Sequence, residues 1–225
     1  MPDLLWAGKS ELDHETNILL LATGRRRRTE NTKTGDMIQT WILHADKAPG
    51  AAWFDNDTAS ICGDCIFQRF MEGGCYVNVH HAPRAVWEAW RGGKFESFVG
   101  QNLMEYPQGV PIRLGSYGDP AAVPYSILGT LASSAPFHTG YTHQWRTCPA
   151  VYRNALMASC DSPDDIAQAQ ALGYRTFTVS STKPAPGHVL CPASKEAGKK
   201  LTCAECKACD GNATARRSNI YIPRH

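Results

Sequence analysis

The chain predicts an α/β protein: a partial parallel (β/α)6-like barrel with an N-terminal hairpin and a cysteine-rich C-terminal segment. Three observations carry this expectation. Strand–loop–helix units follow one another in series, which argues for parallel strands joined by crossover helices. Polar residues gather where the predicted strands end, as in parallel folds whose active sites lie at the carboxyl ends of strands. A length of 225 residues falls short of the roughly 250 of a full eightfold barrel.

The elements follow in order. Two apolar stretches, residues 18–21 and 37–43, flank a polar connection holding Arg25, Arg26, Arg27 and Arg28, and read as a hairpin over about 17–44. Residues 83–90 read as a helix, with Pro83 in its first turn and Gly92-Gly93 at its end. Residues 111–117 look like a strand that leads into a helix over 125–133. A short strand within 138–145 precedes a helix near 149–154. Residues 156–159 form a strand, Ser162 caps a helix over 163–172, and Gly173 stops it. Strands at 174–179, 188–190 and 220–222 complete a strand–loop–helix series of about six or seven strands. The whole chain, 1–225, reads as one domain, with the cysteine-rich segment at about 188–225.

Composition excludes several classes. With 43% hydrophobic residues the chain can bury one sizeable core, and a formal charge of +2 creates no global field for nucleic acid or membrane. No apolar run approaches the roughly 18 residues of a membrane span. Met1-Pro2-Asp3 lacks the basic flank and apolar stretch of a secretion signal, so a cytoplasmic location is expected. No G-x-x-x-x-G-K-[ST] or G-x-S-x-G motif occurs.

Seven of the nine cysteines fall into two groups. Cys62, Cys65 and Cys75 are spaced C-x2-C-x9-C, and Cys191, Cys203, Cys206 and Cys209 are spaced C-x11-C-x2-C-x2-C. Thiolates two residues apart reach one ion from a single turn of chain. In a reducing compartment, ligation accounts for such pairs better than disulfides. The second group is a complete set for Zn2+ or for a [4Fe–4S] cluster, and spacing does not choose between them. Lys195, Lys199, Lys200 and Lys207 would offset its charge; a structural staple for the tail is the plainer account. Three thiolates in the first group leave one position open, as a catalytic metal needs, unless His80, His81, Asp64 or Cys160 closes the site. Cys148 and Cys160 read as small buried fillers, and the tryptophans as core or rim packing.

Three cysteines in a loop, the last followed by an aromatic as in Cys75-Tyr76, resemble the radical S-adenosylmethionine enzymes and their degenerate phage-encoded relatives. Arg113-Leu114-Gly115-Ser116-Tyr117-Gly118-Asp119-Pro120 and Gly140-Tyr141-Thr142-His143 are similar to an uncharacterised family of phage cysteine-rich proteins, over about residues 31–225. The resemblance implies a partial (β/α)6 barrel and a [4Fe–4S] cluster on three cysteines. It further implies S-adenosylmethionine at the open iron, and further clusters on a cysteine-rich extension. The spacing departs from the family's C-x3-C-x2-C. Tyr76, Ser116 and Asp119 are the implied cofactor-binding residues, Gly115 to Asp119 being the nearest counterpart of the family's glycine-rich segment.

Asp119 and Asp161 lie one turn beyond predicted strand ends and His143 at the polar end of its strand, where such groups orient ligands or move protons. Helix capping and loop structure are the plainer roles for the two aspartates. The leading expectation is an iron–sulfur protein, with one or two [4Fe–4S] clusters, that modifies a nucleotide or nucleic-acid base in a host cytoplasm. The arginine loop would contact that substrate. One alternative is a zinc-stabilised nucleic-acid-binding or adaptor protein without catalysis; another is a zinc hydrolase.

Overall fold

The computed structural model describes residues 1–27, 31–107, 109–180, 186–213 and 218–224. Ten strands join one sheet: β1 (Asp3–Lys9), β2 (Asn17–Thr23), β3 (Ile38–His44), β4 (Glu96–Ser97), β5 (Ile112–Tyr117), β6 (His138–Thr142), β7 (Met157–Cys160), β8 (Thr176–Ser180), β9 (His188–Leu190) and β10 (Asn219–Pro223). Their order is β4-β1-β2-β3-β5-β6-β7-β8-β10-β9. From β3 to β9 every pairing is parallel, whereas β1–β2 and β2–β3 are antiparallel. The fold is thus mixed α/β with a largely parallel sheet. Its ends do not pair among the described residues.

The hairpin of β2 and β3 forms as its two apolar stretches require, Leu20 opposite Ile42. The sequence reading missed β1, whose polar and half-exposed second half hides the alternation, and its count of strands is corrected to ten. Helices join the strands: α1 (Pro49–Phe54), α2 (Ala59–Cys62), α3 (Ala82–Arg91), α4 (Tyr125–Ser134), α5 (Pro163–Ala171) and α6 (Cys203–Cys206). The expected helix near 149–154 is a 3₁₀ turn, Ala150–Asn154. α5 starts with a complete capping box: Ser162 accepts from the Asp165 N–H, and Asp165 accepts from the Ser162 N–H.

Side chains alternate across each strand, so paired residues share a face. One face carries Leu114, Ala158 and Cys160. It packs against Leu128 and Leu131 of α4 and against Ile166 and Ala169 of α5. Gly140 belongs to this face opposite Leu114, and a Cβ there would lie 2.5 Å from the Leu156 side chain. The other face carries Arg113, Thr139, Tyr141, Met157, Phe177 and Ile220. The cysteine-rich segment covers it, bringing Cys191 and Cys209 against Met157, Ile220 and Ile222.

What pins that segment is Arg175, just before β8. Its guanidinium pairs with Asp210 at 2.9 Å and donates to the carbonyls of Ala208, Gly211 and Ser218. Arg175 is 5% exposed and Asp210 1%. A second such pair closes the opposite edge: Asp3, 2% exposed, accepts from Arg25 at 2.8 Å and from the Tyr106 hydroxyl at 3.0 Å. Arg25 also reaches Glu96, as does Arg26. The arginine loop is therefore corrected in part: Arg25 is a fold-locking cation, 14% exposed, and is not free for phosphate. Arg28 lies outside the described residues. No helix among the described residues is long and apolar enough to cross a membrane.

Breaking a buried pair leaves an uncompensated charge, at a cost of about 3–5 kcal/mol. Arg175→Met should lower the urea-unfolding free energy by about that amount, and Arg175→Met with Asp210→Leu should recover part of it. His138, buried and 3.1 Å from the Ala155 carbonyl, is held below its ordinary value by burial. The unfolded chain therefore binds a proton that the folded one refuses, and stability falls as pH drops below about 6.5. His138→Asn should flatten that part of the stability–pH curve relative to the parent.

Candidate metal and ligand site at the carboxyl ends of the strands

α2 ends at Cys62, and the loop that follows folds over the carboxyl ends of the parallel strands. Gly63 turns it with φ +58°, and a Cβ there would meet the Gln144 amide at 2.2 Å. Two buried glutamines hold the loop. Gln68 donates to the carbonyls of Gly63 (2.9 Å) and Cys65 (3.0 Å), and Gln144 donates to Asp64 at 2.7 Å. The Cys75 N–H donates to the Phe67 carbonyl, closing the loop.

Asp119 ties the ends of β5 and β6 to α2. Its N–H donates to the Ile61 carbonyl at 2.6 Å, Oδ1 accepts from Ala121 N–H at 2.9 Å, and Oδ2 accepts from His143 N–H at 2.8 Å. It caps a 3₁₀ turn, the plainer role expected of it, and it also fixes the backbone of His143. Burial raises its carboxyl above the ordinary carboxylate value, against those hydrogen bonds.

His143 Nε2 stands 3.9 Å from Cys65 Sγ and 3.5 Å from Asp161 Oδ2. Burial opposes its protonation, but Asp161 and Cys65 outweigh that and push the imidazole up to about 10. The Cys62 thiol is driven well up, by burial first and then by the charges of Cys65, Cys75 and Asp119. Tyr117 is raised by burial and then by Cys62 and Cys75. The charges of Cys65 and Cys75 bear on Cys62, and Asp119, His143 and Asp161 are neighbours.

The fourth-ligand candidates stand mostly elsewhere. His80 stacks near Phe54, His81 is beside Asn78, and Cys160 is buried under α5 with Ile166 and Ala169. The imidazole that approaches Cys65 is His143. Ser116, 7% exposed, donates to Gln39 at 2.7 Å, and Tyr76 is 77% exposed with its hydroxyl against Arg113. Cys148 is half-buried against Tyr174 rather than fully buried.

Beside the loop lies a cavity of about 350 Å³, lined by Asp64, Phe67, His143, Arg146, Asp161 and Arg224 among others. This volume is at the lower end of small-molecule sites. Arg146 pairs with Asp165 and lies over the Trp145 ring, while Asp161 Oδ1 is buried without a partner among the described residues.

The second cysteine group lies against the sheet face that bears Tyr141. Burial, then the charges of Cys191, Cys203 and Cys206, push Cys209 up to about 12 in spite of a hydrogen bond with Tyr141. Burial also raises Cys191 and Cys203; Lys33 draws both down, and Arg113 draws Cys203 down as well. Sequence reasoning missed Lys33, Arg113 and Tyr141. An arginine and a tyrosine at alternating positions of apolar strands was the available signal. Among the described residues no three His, Cys, Asp or Glu side chains stand at ligating range of one point. The mutual charge effects act over longer distances. Soft sulfurs in sets of three and four are donor types that either metal takes, but their side chains are not gathered around one point among the described residues.

No family model, no curated protein and no solved structure matches this chain.

Asp119→Ala removes two charge-assisted hydrogen bonds from backbone donors, each worth about 1.5–3 kcal/mol. Hydrogen exchange should accelerate at Ala121 and His143 and across 62–75, while the amides of β2 and β3 stay protected.

Proposed function

We propose that this chain is an iron–sulfur protein resembling a radical S-adenosylmethionine enzyme, with a partial parallel (β/α)6-like barrel. The observation that carries this reading is the three-cysteine loop held over the carboxyl ends of parallel strands, beside a polar cavity of about 350 Å³. Cys62, Cys65 and Cys75 would hold one cluster, and Cys191, Cys203, Cys206 and Cys209 a second. A cluster at the first group would supply the electron that cleaves S-adenosylmethionine. The chain's own part is to bind and orient. Gln68 and Gln144 hold the loop, Asp119 fixes the His143 backbone, and His143 with Asp161 presents a charged pair on the cavity wall. Phe67 and Ile66 form part of that cavity's wall.

A second reading has its own observation. Phe54 and Phe70 are more than half exposed, with Arg69 lying over both rings at 4.6 and 5.0 Å. Exposed rings with an arginine suit base stacking, as in a zinc-stabilised nucleic-acid-binding protein without catalysis.

Anaerobic reconstitution of the full chain with iron and sulfide distinguishes the two. The first reading expects a brown protein with about four irons per occupied group. Cys75→Ala should lose one cluster's worth of iron and any S-adenosylmethionine cleavage while keeping the parent's circular dichroism. A colourless protein with stoichiometric zinc, indifferent to S-adenosylmethionine, overturns that reading and favours the second.

A further inference from the structure

The loop between Cys65 and Cys75 turns one ring inward and another outward. Phe67 lines the cavity of about 350 Å³, with Arg224 5.6 Å above its ring, while Phe70 is 53% exposed. Between them Gln68 is buried and bonded to the Gly63 and Cys65 carbonyls, so both rings sit on a fixed backbone. Phe54, the last residue of α1, is 54% exposed. Arg69 joins it to Phe70, its guanidinium 4.6 Å from the Phe54 ring centre and 5.0 Å from that of Phe70. Both rings stay more than half exposed with the guanidinium in place, so a ligand reaches them from solvent. Arg69 is itself exposed, and among the described residues no carboxylate pairs with it, unlike Arg146 and Arg224 on the cavity wall.

Contiguous exposed apolar groups mark interaction sites. Each ring offers a π-face, and a guanidinium without a carboxylate offers paired donors to an oxyanion. A nucleotide answers both, with a base for a ring and a phosphate for the cation. In a duplex the base faces are covered by their neighbours, so only a single strand lays them on the protein. With a formal charge of +2 the chain makes few phosphate contacts, and stacking carries most of the affinity.

We propose that Phe54, Arg69 and Phe70 form a platform for a single strand of nucleic acid. A base stacks on each ring, a phosphate pairs with Arg69, and the strand runs along the loop to the cavity mouth at Phe67. Because the rings and the cavity share one loop, a bound strand lies beside the three cysteines. It is then what the proposed reaction site acts on; the reaction rests on that site, and the binding does not.

Fluorescence anisotropy of a labelled oligothymidylate of about 12 nucleotides reports binding to the full chain. The dissociation constant should be on the order of 10 μM at physiological salt, and the same strand annealed to its complement should bind about tenfold more weakly. Phe70→Leu and Phe54→Leu keep the apolar volume but remove the flat face, and each should weaken binding about tenfold. Arg69→Gln should lower the slope of log affinity against log salt by about 0.7, one phosphate contact on a single strand. All three side chains are exposed, so circular dichroism should stay that of the parent. No saturable binding, equal binding of duplex and single strand, or parental affinity in a folded Phe54→Leu/Phe70→Leu double variant would each overturn the proposal. Strand binding by a chain that takes up no metal supports the platform and removes only the metal centre. A chain that takes up iron yet ignores the strand sinks the platform alone.

Discussion

The buried ion pair between Arg175 and Asp210 anchors the cysteine-rich segment to one face of the sheet. Between β9 and β10 the cysteine-rich segment has little regular structure among the described residues: a four-residue helix and short turns. Such a stretch cannot bury enough apolar surface to offset the entropy of ordering it. Arg175 solves this by collecting three carbonyls and one carboxylate of the segment onto a single rigid fork. The segment is thereby seated beside Met157 and Ile220, and Cys191 and Cys209 are buried with it.

The same economy recurs at the other end of the strands. There the cysteine loop is irregular too, and its backbone groups are satisfied by buried side chains rather than by a ladder. Gln68, Gln144 and Asp119 each serve two or more backbone groups or loops. Both cysteine groups are therefore hung on a rigid parallel sheet by polar anchors. A three-sulfur set near a cavity can serve a ligand, while a four-sulfur set packed on the sheet has its face closed by Tyr141 and Phe177. Position supports different roles for the two groups more strongly than sulfur count does.

Much of the fold was legible because parallel strands and their helices carry strong local signals. The hairpin, α3, α4, α5 and the strands from β5 onward announce themselves through apolar runs bounded by proline, glycine and a serine cap. β1 did not, because Trp6, Gly8 and Lys9 interrupt its pattern and its partner β2 supplies the burial. Within the site, Asp119, His143 and Asp161 stood out as polar residues at strand ends, and they are neighbours. Gln68, Gln144, Arg113 and Lys33 did not stand out. Glutamine, arginine and lysine are common on surfaces, and only their tertiary neighbours make them anchors or counter-charges.

The amino-acid order by itself determined the α/β class, the sequence of strands and helices, and which sulfurs are close along the chain. Those features follow from residue spacing and local conformation, which act over a few bonds. Tertiary structure alone decided that Arg25 locks Asp3 instead of meeting solvent, and that His143 is the imidazole facing Cys65. It likewise decided that Arg113 and Lys33 act on the C-terminal thiols. Each of these joins residues at least 20 positions apart. Such contacts depend on strand order and register, which no local pattern encodes.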